Sequence, residues 1–389
     1  MKKTLMVAAL SGVFVTAAHA QSSVTLYGLI DAGITYTNNQ HPNPSSNQHG
    51  ANVAMTSGSV NGSRFGLRGA EDLGGGLKAI FTLENGFGIN DGTLKQNSRL
   101  FGRQAFVGLS SDQFGAVTLG RQYDSMVDYV GPLALTGTQY GGTQFAHPFD
   151  NDNLNNSFRI NNSAKFQSAN YGGFKFGGLY GFSNQAAGFA NNRAYSAGAS
   201  YNWGGLNVAA AYMQLNSNGA NSAAAAFNSG GAVSGDNTFF AQRQQTWGAG
   251  ANYAFGPATV GLVYSQTNLH GLAGISAAAS GITGGVGFPT NSAQFQNFEA
   301  NARYALTPAI SIAGAYTYTR ANLSSSHVHW NQVNLQTDYA LSKRTDVYLQ
   351  GVYQAANEDS IVNAYINGVG GASGNNKQVA VTAGLRHRF

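Results

Sequence analysis

The feature that most constrains this chain is an alternation of period two that recurs along its length. In residues 63–69, Phe65 and Leu67 share one parity while Arg64 and Arg68 share the other; in 158–168, Ile160, Ala164 and Phe166 oppose Arg159, Ser163, Lys165 and Gln167. Further on, Phe174, Phe176, Tyr180 and Phe182 alternate with Lys175, Gly177 and Ser183, and Val333, Leu335, Tyr339 and Leu341 with Gln332, Asn334, Gln336 and Asp338. Successive side chains of a strand point to opposite faces, so each stretch reads as a strand with one apolar and one polar face. Taken singly, each fits a half-buried strand of a soluble sandwich. The set fits better a transmembrane antiparallel barrel, with the apolar parity on lipid and the charged parity on a wet interior. The run 379–389 alternates in the same way and ends on Phe389. Such a strand is expected to pair with a first strand near Val24, because an unpaired two-faced edge is sticky.

Punctuation gives the strand number. Tight glycine or polar turns fall at 71–76, 111–115, 170–173, 203–206, 255–258, 305–309 and 341–346, about seven in all. Between them lie longer low-complexity stretches at 38–62, 86–97, 122–157, 183–192, 217–241, 268–293, 322–327 and 357–377, about eight loops. Alternating long and short joints imply an all-β fold of about 16 strands, with long loops outside and short turns on the periplasmic side.

Composition supports an exported barrel and removes other classes. Residues 1–20 combine a basic start at Lys2 and Lys3, an apolar stretch from Leu5 to Ala18, and Ala18-His19-Ala20 before Gln21, the pattern of a cleaved secretory signal. Residues 21–389 are then the mature barrel. Loss of Lys2 and Lys3 takes the basic residues from 21 to 19 against 16 acids, leaving a formal charge of +3, too little to argue for nucleic acid. No mature segment approaches the roughly 18–20 apolar residues of a membrane helix. The 52 Gly, 19 Tyr and 23 Phe suit aromatic-rich strands joined by glycine turns. With no cysteine, disulfides, thiol catalysis and thiolate metal sites are out of reach.

An outer-membrane enzyme would need a nucleophile or an activated water with a positioned His. After the signal, His41, His49, His147, His270, His327, His329 and His387 fall mostly in loops or at strand ends without a local partner pattern. His327 and His329 share a strand face, yet no metal-spacing motif accompanies them. The reading is therefore no enzyme, no cofactor and no metal. Tyr27, Tyr171, Trp203, Trp247, Tyr253, Trp330 and Tyr339, near strand ends, are expected in interfacial aromatic girdles.

The stretches SVTLYGLIDAGI (23–34), SRFGLRGAEDLGGGLK (63–78), GRQAFVGL (102–109), VTLGRQY (117–123), RINNS (159–163), ALSKRTD (340–346) and GLRHRF (384–389) resemble the general porins of Gram-negative outer membranes, most closely the beta-proteobacterial branch. The resemblance spans essentially the whole mature chain. It implies a homotrimer in the outer membrane, in contact with lipid and lipopolysaccharide, passing small hydrophilic solutes and ions by diffusion. It also implies that Phe389 is read by the insertion machinery and that the second loop, 86–97, latches onto a neighbouring protomer.

The same resemblance implies a pore narrowed by an inward-folded third loop, 122–157, whose acids face a ladder of wall arginines. The wall positions are Arg64, Arg103 and Arg159, with Arg68 one step along the face of Arg64, and Glu84 matches a lumen acid. The loop carries Asp124, Asp128, Asp150 and Asp152, and its tip reads TQFAHPFD (143–150), without the enterobacterial Pro-Glu-Phe-Gly-Gly stretch. Opposed charges across such an eyelet set a transverse field and an ion preference, here read as weakly anionic. The alternatives are a substrate-specific channel for a sugar or anion, hinted at by Tyr140, Phe145 and Phe149, and an outer-membrane barrel enzyme.

Overall fold

The computed structural model describes residues 23–41, 49–217, 230–233, 236–275, 286–287, 291–323, 326–357 and 363–389. The expected signal, 1–20, and the mature start at Gln21 lie outside the described residues. The first strands are β1 (Ser23–Gln40), β2 (Gly50–Ser57), β3 (Arg64–Gly74), β4 (Leu77–Gly86), β5 (Gln104–Ser111), β6 (Gly115–Gln122), β7 (Ile160–Ser168), β8 (Phe174–Gly181) and β9 (Arg193–Trp203). They continue as β10 (Leu206–Asn216), β11 (Phe239–Phe255), β12 (Ala258–Ile275), β13 (Val286–Gly287), β14 (Ser292–Ala305), β15 (Ile310–Leu323), β16 (Ser326–Ala340), β17 (Thr345–Ala356) and β18 (Lys377–Arg388).

These segments build a closed 16-strand antiparallel barrel. The numbers reconcile because β2 and β3 lie along the same edge of β1, β2 beside Ala32 to Gln40 and β3 beside Ser23 to Leu29, as two halves of one wall strand. The two-residue β13 only lengthens the edge of β12. Closure runs from Leu29↔Arg388 to Thr37↔Ala380. It is completed by Phe389, whose backbone exchanges bonds of 3.0 and 3.1 Å with Gly28. A Cβ on Gly28 would lie 2.3 Å from the Phe389 ring, so only glycine lets that ring lie across the seam.

The alternation resolves into an outside and an inside. Ile34 and Leu262 on the outward parity are 61% and 67% exposed, whereas Thr267 on the inward parity is 0%. Apolar exposure on that scale requires lipid. Inside, hydroxyls and amides bond across strands, as between Thr35 and Thr382 at 2.8 Å and Thr246 and Thr267 at 3.0 Å. Two girdle expectations are corrected by parity. Tyr27 points inward onto Glu84, and Trp330, 1% exposed, packs on Phe149 and Phe295, because each sits in register with inward polar residues of its strand. Tyr171, Trp203, Trp247, Tyr253 and Tyr339 do face outward.

Wall height is uneven. β5 to β8 have 8 or 9 residues, roughly 26–30 Å at the rise of a strand, while β11 and β12 have 17 and 18, roughly 55–60 Å. All seven short turns fall where the punctuation predicts. Four of the long loops are shorter than the composition suggests, since 50–57, 239–241, 268–275 and 326–327 are strand. In the first of these, Val53 and Met55 face outward beside Tyr36 and Ile34, so a period of two is present but masked by Asn and Gly neighbours.

Candidate functional site: a gap between the third loop and the arginine wall

Between β2 and β3 the wall strand leaves the sheet for residues 58–63. One side chain organises this excursion. Asp31 of β1, fully buried, accepts the backbone amides of Val60 at 3.0 Å and Asn61 at 2.7 Å through Oδ2, and the Tyr348 hydroxyl at 2.6 Å through Oδ1. The excursion meets the long segment joining β6 to β7. Thr143 N donates to Ser59 O at 3.0 Å, and a Cβ on Gly142, whose φ is +63°, would lie 1.9 Å from Val60 O. That approach requires glycine.

The third loop is held to the polar parity of the wall along most of its course. Met126, Tyr129, Val130 and Leu133 pack on Ala209, Ala211 and Met213 of β10. Leu135 N donates to Glu299 at 2.8 Å, Gly141 O accepts from Gln350 at 2.5 Å, and the Gln144 amide bonds Thr382 at 2.8 and 3.0 Å. Phe149 stacks on Tyr365 at 5.5 Å and meets Trp330 and Phe295 edge-on. A charged bolt lies beside it: His147 bridges Asp152 at 2.6 Å and Glu299 at 3.1 Å, and Asp152 also accepts from Ser265. Burial disfavours the imidazolium, but the carboxylates of Asp152 and then Glu299 outweigh it and push His147 up to about 10. Burial likewise opposes the Asp152 carboxylate, yet His147 holds it below the usual range.

On the side of β3 to β7 the loop leaves an opening. Arg103 Nε donates to Glu84 Oε1 at 2.6 Å, and its Nη2 donates to the Tyr123 hydroxyl at 3.1 Å. Tyr123 in turn donates to Glu84 Oε1 at 3.0 Å, while Tyr27 donates to Oε2 at 3.0 Å. Arg159 lies over the Tyr123 ring at 5.6 Å and Arg68 over the Tyr27 ring at 5.4 Å. Among the described residues, Arg64, Arg68 and Arg159 have no carboxylate within 4.0 Å, and Arg159 Nε has no protein acceptor. Glu84 is thus paired with Arg103, and the second acid of the opening, Asp236, is paired with Arg121, so the guanidiniums outnumber the carboxylates.

Two cavities meet here. The first, about 610 Å³, is lined by Arg64, Arg103, Tyr123 and Arg159 of the wall and by Thr136 and Asn155 of the loop. The second, about 520 Å³, opens toward Tyr27, Arg388 and Phe389 at the short-turn end. They share Asn61, Arg64, Gly137 and Thr138, so the passage between them runs between the Arg64 side chain and loop positions 137–138.

The expected opposition of loop acids to wall arginines is not what the geometry holds. Asp124 accepts Met126 N at 2.7 Å and Asn153 Nδ2 at 2.7 Å at the loop's base, and burial pushes its carboxyl up to about 6. Asp128 pairs with Lys165 and lines a separate cavity of about 480 Å³ with Lys175. Asp150 accepts Asn155 N at 3.0 Å and Ser157 N at 3.1 Å, and Asp152 belongs to the His147 bolt. Acids on a compact loop are recruited by its own unpaired amides, which lie nearer than the far wall. Phe145 and Phe149 are likewise buried against the wall and form no slide. Sequence reasoning missed Asp31, Tyr27, Tyr123 and Arg386. Arg386 joins Asp346 at 2.9 Å to Asn61 at 2.5 Å and Gln139 O at 2.8 Å. The only sequence signal for them was inward parity within the resembling stretches.

A closed barrel, apolar outside and polar within, with cavities on both sides of a narrow gap, defines a membrane-spanning pore. Residues 5–360 match the model of the Gram-negative porin family. The chain is 33% identical to an outer membrane porin protein of Bordetella pertussis and 31% identical to outer membrane porin protein 32 of Delftia acidovorans, each over 100% of both chains. An anion-selective porin from Comamonas acidovorans has the same fold, with a TM-score of 0.71 at 24% identity over 95% of this chain and 100% of that one. The chain belongs to the Gram-negative porins and is a porin of the outer membrane.

Proposed function

We propose that the passage between Arg64 and positions 137–138 is the eyelet of a general diffusion pore for small hydrophilic solutes, and that its ion preference is weakly anionic. The observation that carries the sign is the excess of cation there: Arg64, Lys95, Arg103 and Arg159 line the first cavity with Asp236, itself paired with Arg121, and the other carboxylate, Glu84, lines the second cavity and is paired with Arg103. A unit charge at 4 Å is worth about 4 kcal/mol at an effective dielectric of about 20, whereas charges beyond roughly 8 Å are screened at physiological salt. The local set therefore outweighs the formal +3 of the mature chain. The third loop acts as the inward constriction, and its acids act as anchors rather than as pore charges.

We read the protein as a channel rather than an enzyme. Ser265, Asp152 and His147 are the nearest approach to a catalytic grouping, but the acid sits between the other two, so no base contacts the hydroxyl, and all three are fully buried. The mature barrel, 21–389, is taken to follow a cleaved signal and to assemble as a homotrimer, with the low apolar wall of β5 to β8 as the neighbour-facing side. The test is the zero-current potential of the purified protein in a planar bilayer under a tenfold KCl gradient. A chloride-preferring potential is expected, together with a smooth decline of liposome swelling as sugar mass rises. A potassium-preferring potential overturns the sign, and saturable sugar flux overturns general diffusion.

A further inference from the structure

The separate cavity of about 480 Å³ lies under the third loop, on the side away from the passage. Its roof is Tyr129, which lies so close on the wall that a Cβ on Gly177 would come within 2.6 Å of its hydroxyl and one on Gly198 within 2.5 Å of its ring. Below that roof the wall strands run on to the turns at 170–173, 203–206 and 255–258, so the recess opens toward the short-turn end. It shares no lining residue with the two cavities of the passage. An occupant would therefore stand beside the path of diffusing solutes.

The two sides of the recess differ in chemistry. The loop presents the apolar surfaces of Pro132 and Leu133. The wall presents three asparagines in register, Asn202 opposite Asn207 and Asn207 opposite Asn252. Asn202 donates to Asn207, and Asn207 donates to Asn252 at 2.7 Å. This amide chain ends on an acceptor, Asn202 Oδ1, and on a donor, Asn252 Nδ2, neither of which has a protein partner among the described residues. Turning all three amides round would exchange the ends and still leave one acceptor and one donor. Ser200 adds a hydroxyl. The one carboxylate of the lining, Asp128, is held by Lys165 and, at 3.2 Å, by Gln167, so the open charge is Lys175 alone, exposed at the edge.

We propose that this recess is a binding subsite for a neutral mono- or disaccharide. A carboxylate only accepts and an ammonium only donates, whereas a hydroxyl does both and so matches both ends of the amide chain. Hydroxyls along one edge of a sugar ring would meet Asn202, Ser200 and Asn252, while the C–H face of the ring would lie on Pro132 and Leu133. The volume falls within the roughly 300–1,000 Å³ of small-molecule sites. The inference rests on the reading of the lumen as a wet diffusion pore, from which the sugar reaches the recess, and not on its ion preference.

The chain has no cysteine, so Ser200→Cys supplies a single thiol in the recess and Asn155→Cys a single thiol in the first cavity of the passage. The test is the rate at which a small methanethiosulfonate reagent labels each variant of the full-length mature protein in nanodiscs, in sucrose or in a polyethylene glycol of equal mass and matched viscosity. Relative to the polymer, sucrose should slow labelling of S200C at least fivefold and change that of N155C by less than about twofold. Adding Asn202→Leu and Asn252→Leu to S200C should abolish the protection; if that variant fails to fold, adding Asn252→Leu alone should weaken it at least twofold. Liposome swelling by the same preparation tells a closed pore from an empty recess. No slowing of S200C, equal slowing of both thiols, or protection that survives these asparagine substitutions would overturn the proposal.

Discussion

The two sides of the lumen at the level of the third loop are made from the same polar parity and end in opposite states. Toward β10 to β18 the wall offers small apolar groups, amides, aromatic rings and charges that have close partners, and the loop fills the space: Phe149 on Trp330, Gln144 on Thr382, His147 on Glu299. Toward β3 to β7 the wall offers guanidiniums, and the loop stands off from them. The difference teaches that an opening is maintained by like charge as much as by shape. Arginines that outnumber their carboxylates cannot be dried and packed without a cost of several kcal/mol per ion, so that side stays wet.

Phe149→Ala should have the largest effect on this contrast, because it empties an aromatic cluster on the packed side. A loss of roughly 3–5 kcal/mol is expected, read as a lower unfolding temperature on gels and as noisier single-channel current. An unchanged transition with quiet channels would mean that the loop is not held there. Next come the wall charges. Arg103→Gln and Arg159→Gln should each lower the chloride-to-potassium permeability ratio by roughly two- to fivefold, whereas Asp124→Asn should leave it nearly constant. A larger shift from Asp124 than from either arginine would reverse the assignment of pore and anchor.

The pH response separates the sides further. The His147 contribution is complete below its ordinary value and is lost as pH rises through about 10, since its folded value is raised. The Asp152 contribution is present above the ordinary carboxylate range and is lost as pH falls through its lowered value. Current should therefore be quiet near neutrality and noisier above about 10, with His147→Gln noisy at all pH. Arginine keeps its charge over this range, so selectivity should change less than noise. The smallest effect is expected from Glu84→Gln, a modest further gain in chloride preference, measured by the same zero-current potential. A shift toward potassium would show that Glu84 acts mainly by positioning Arg103.

Strand parity, the turns and the strand number were legible in the residues because each depends on neighbours one or two positions apart. So was the inward parity of Arg64 and Glu84; Trp330 shares the parity of Gln332 and Asn334 and lies inward with them, against its expected place in the girdle. Arg103 and Arg159 lie just outside their strands and were found through the resembling stretches. The roles of Asp124 and Asp128 were not legible, because a carboxylate's partner is set by which donor is nearest after folding. For Asp124 those donors are Met126 N and Asn153, and for Asp128 the donor is Lys165 from the next strand. Nor could local pattern reveal Asp31 capturing residues 60 and 61, or Arg386 reaching Gln139 from the far end of the chain. By itself the sequence determined a two-faced wall and the alternation that sends each side chain in or out. Which of those residues border the open passage was decided only when the third loop chose its side of the barrel, since that choice sums many contacts between residues a hundred or more positions apart.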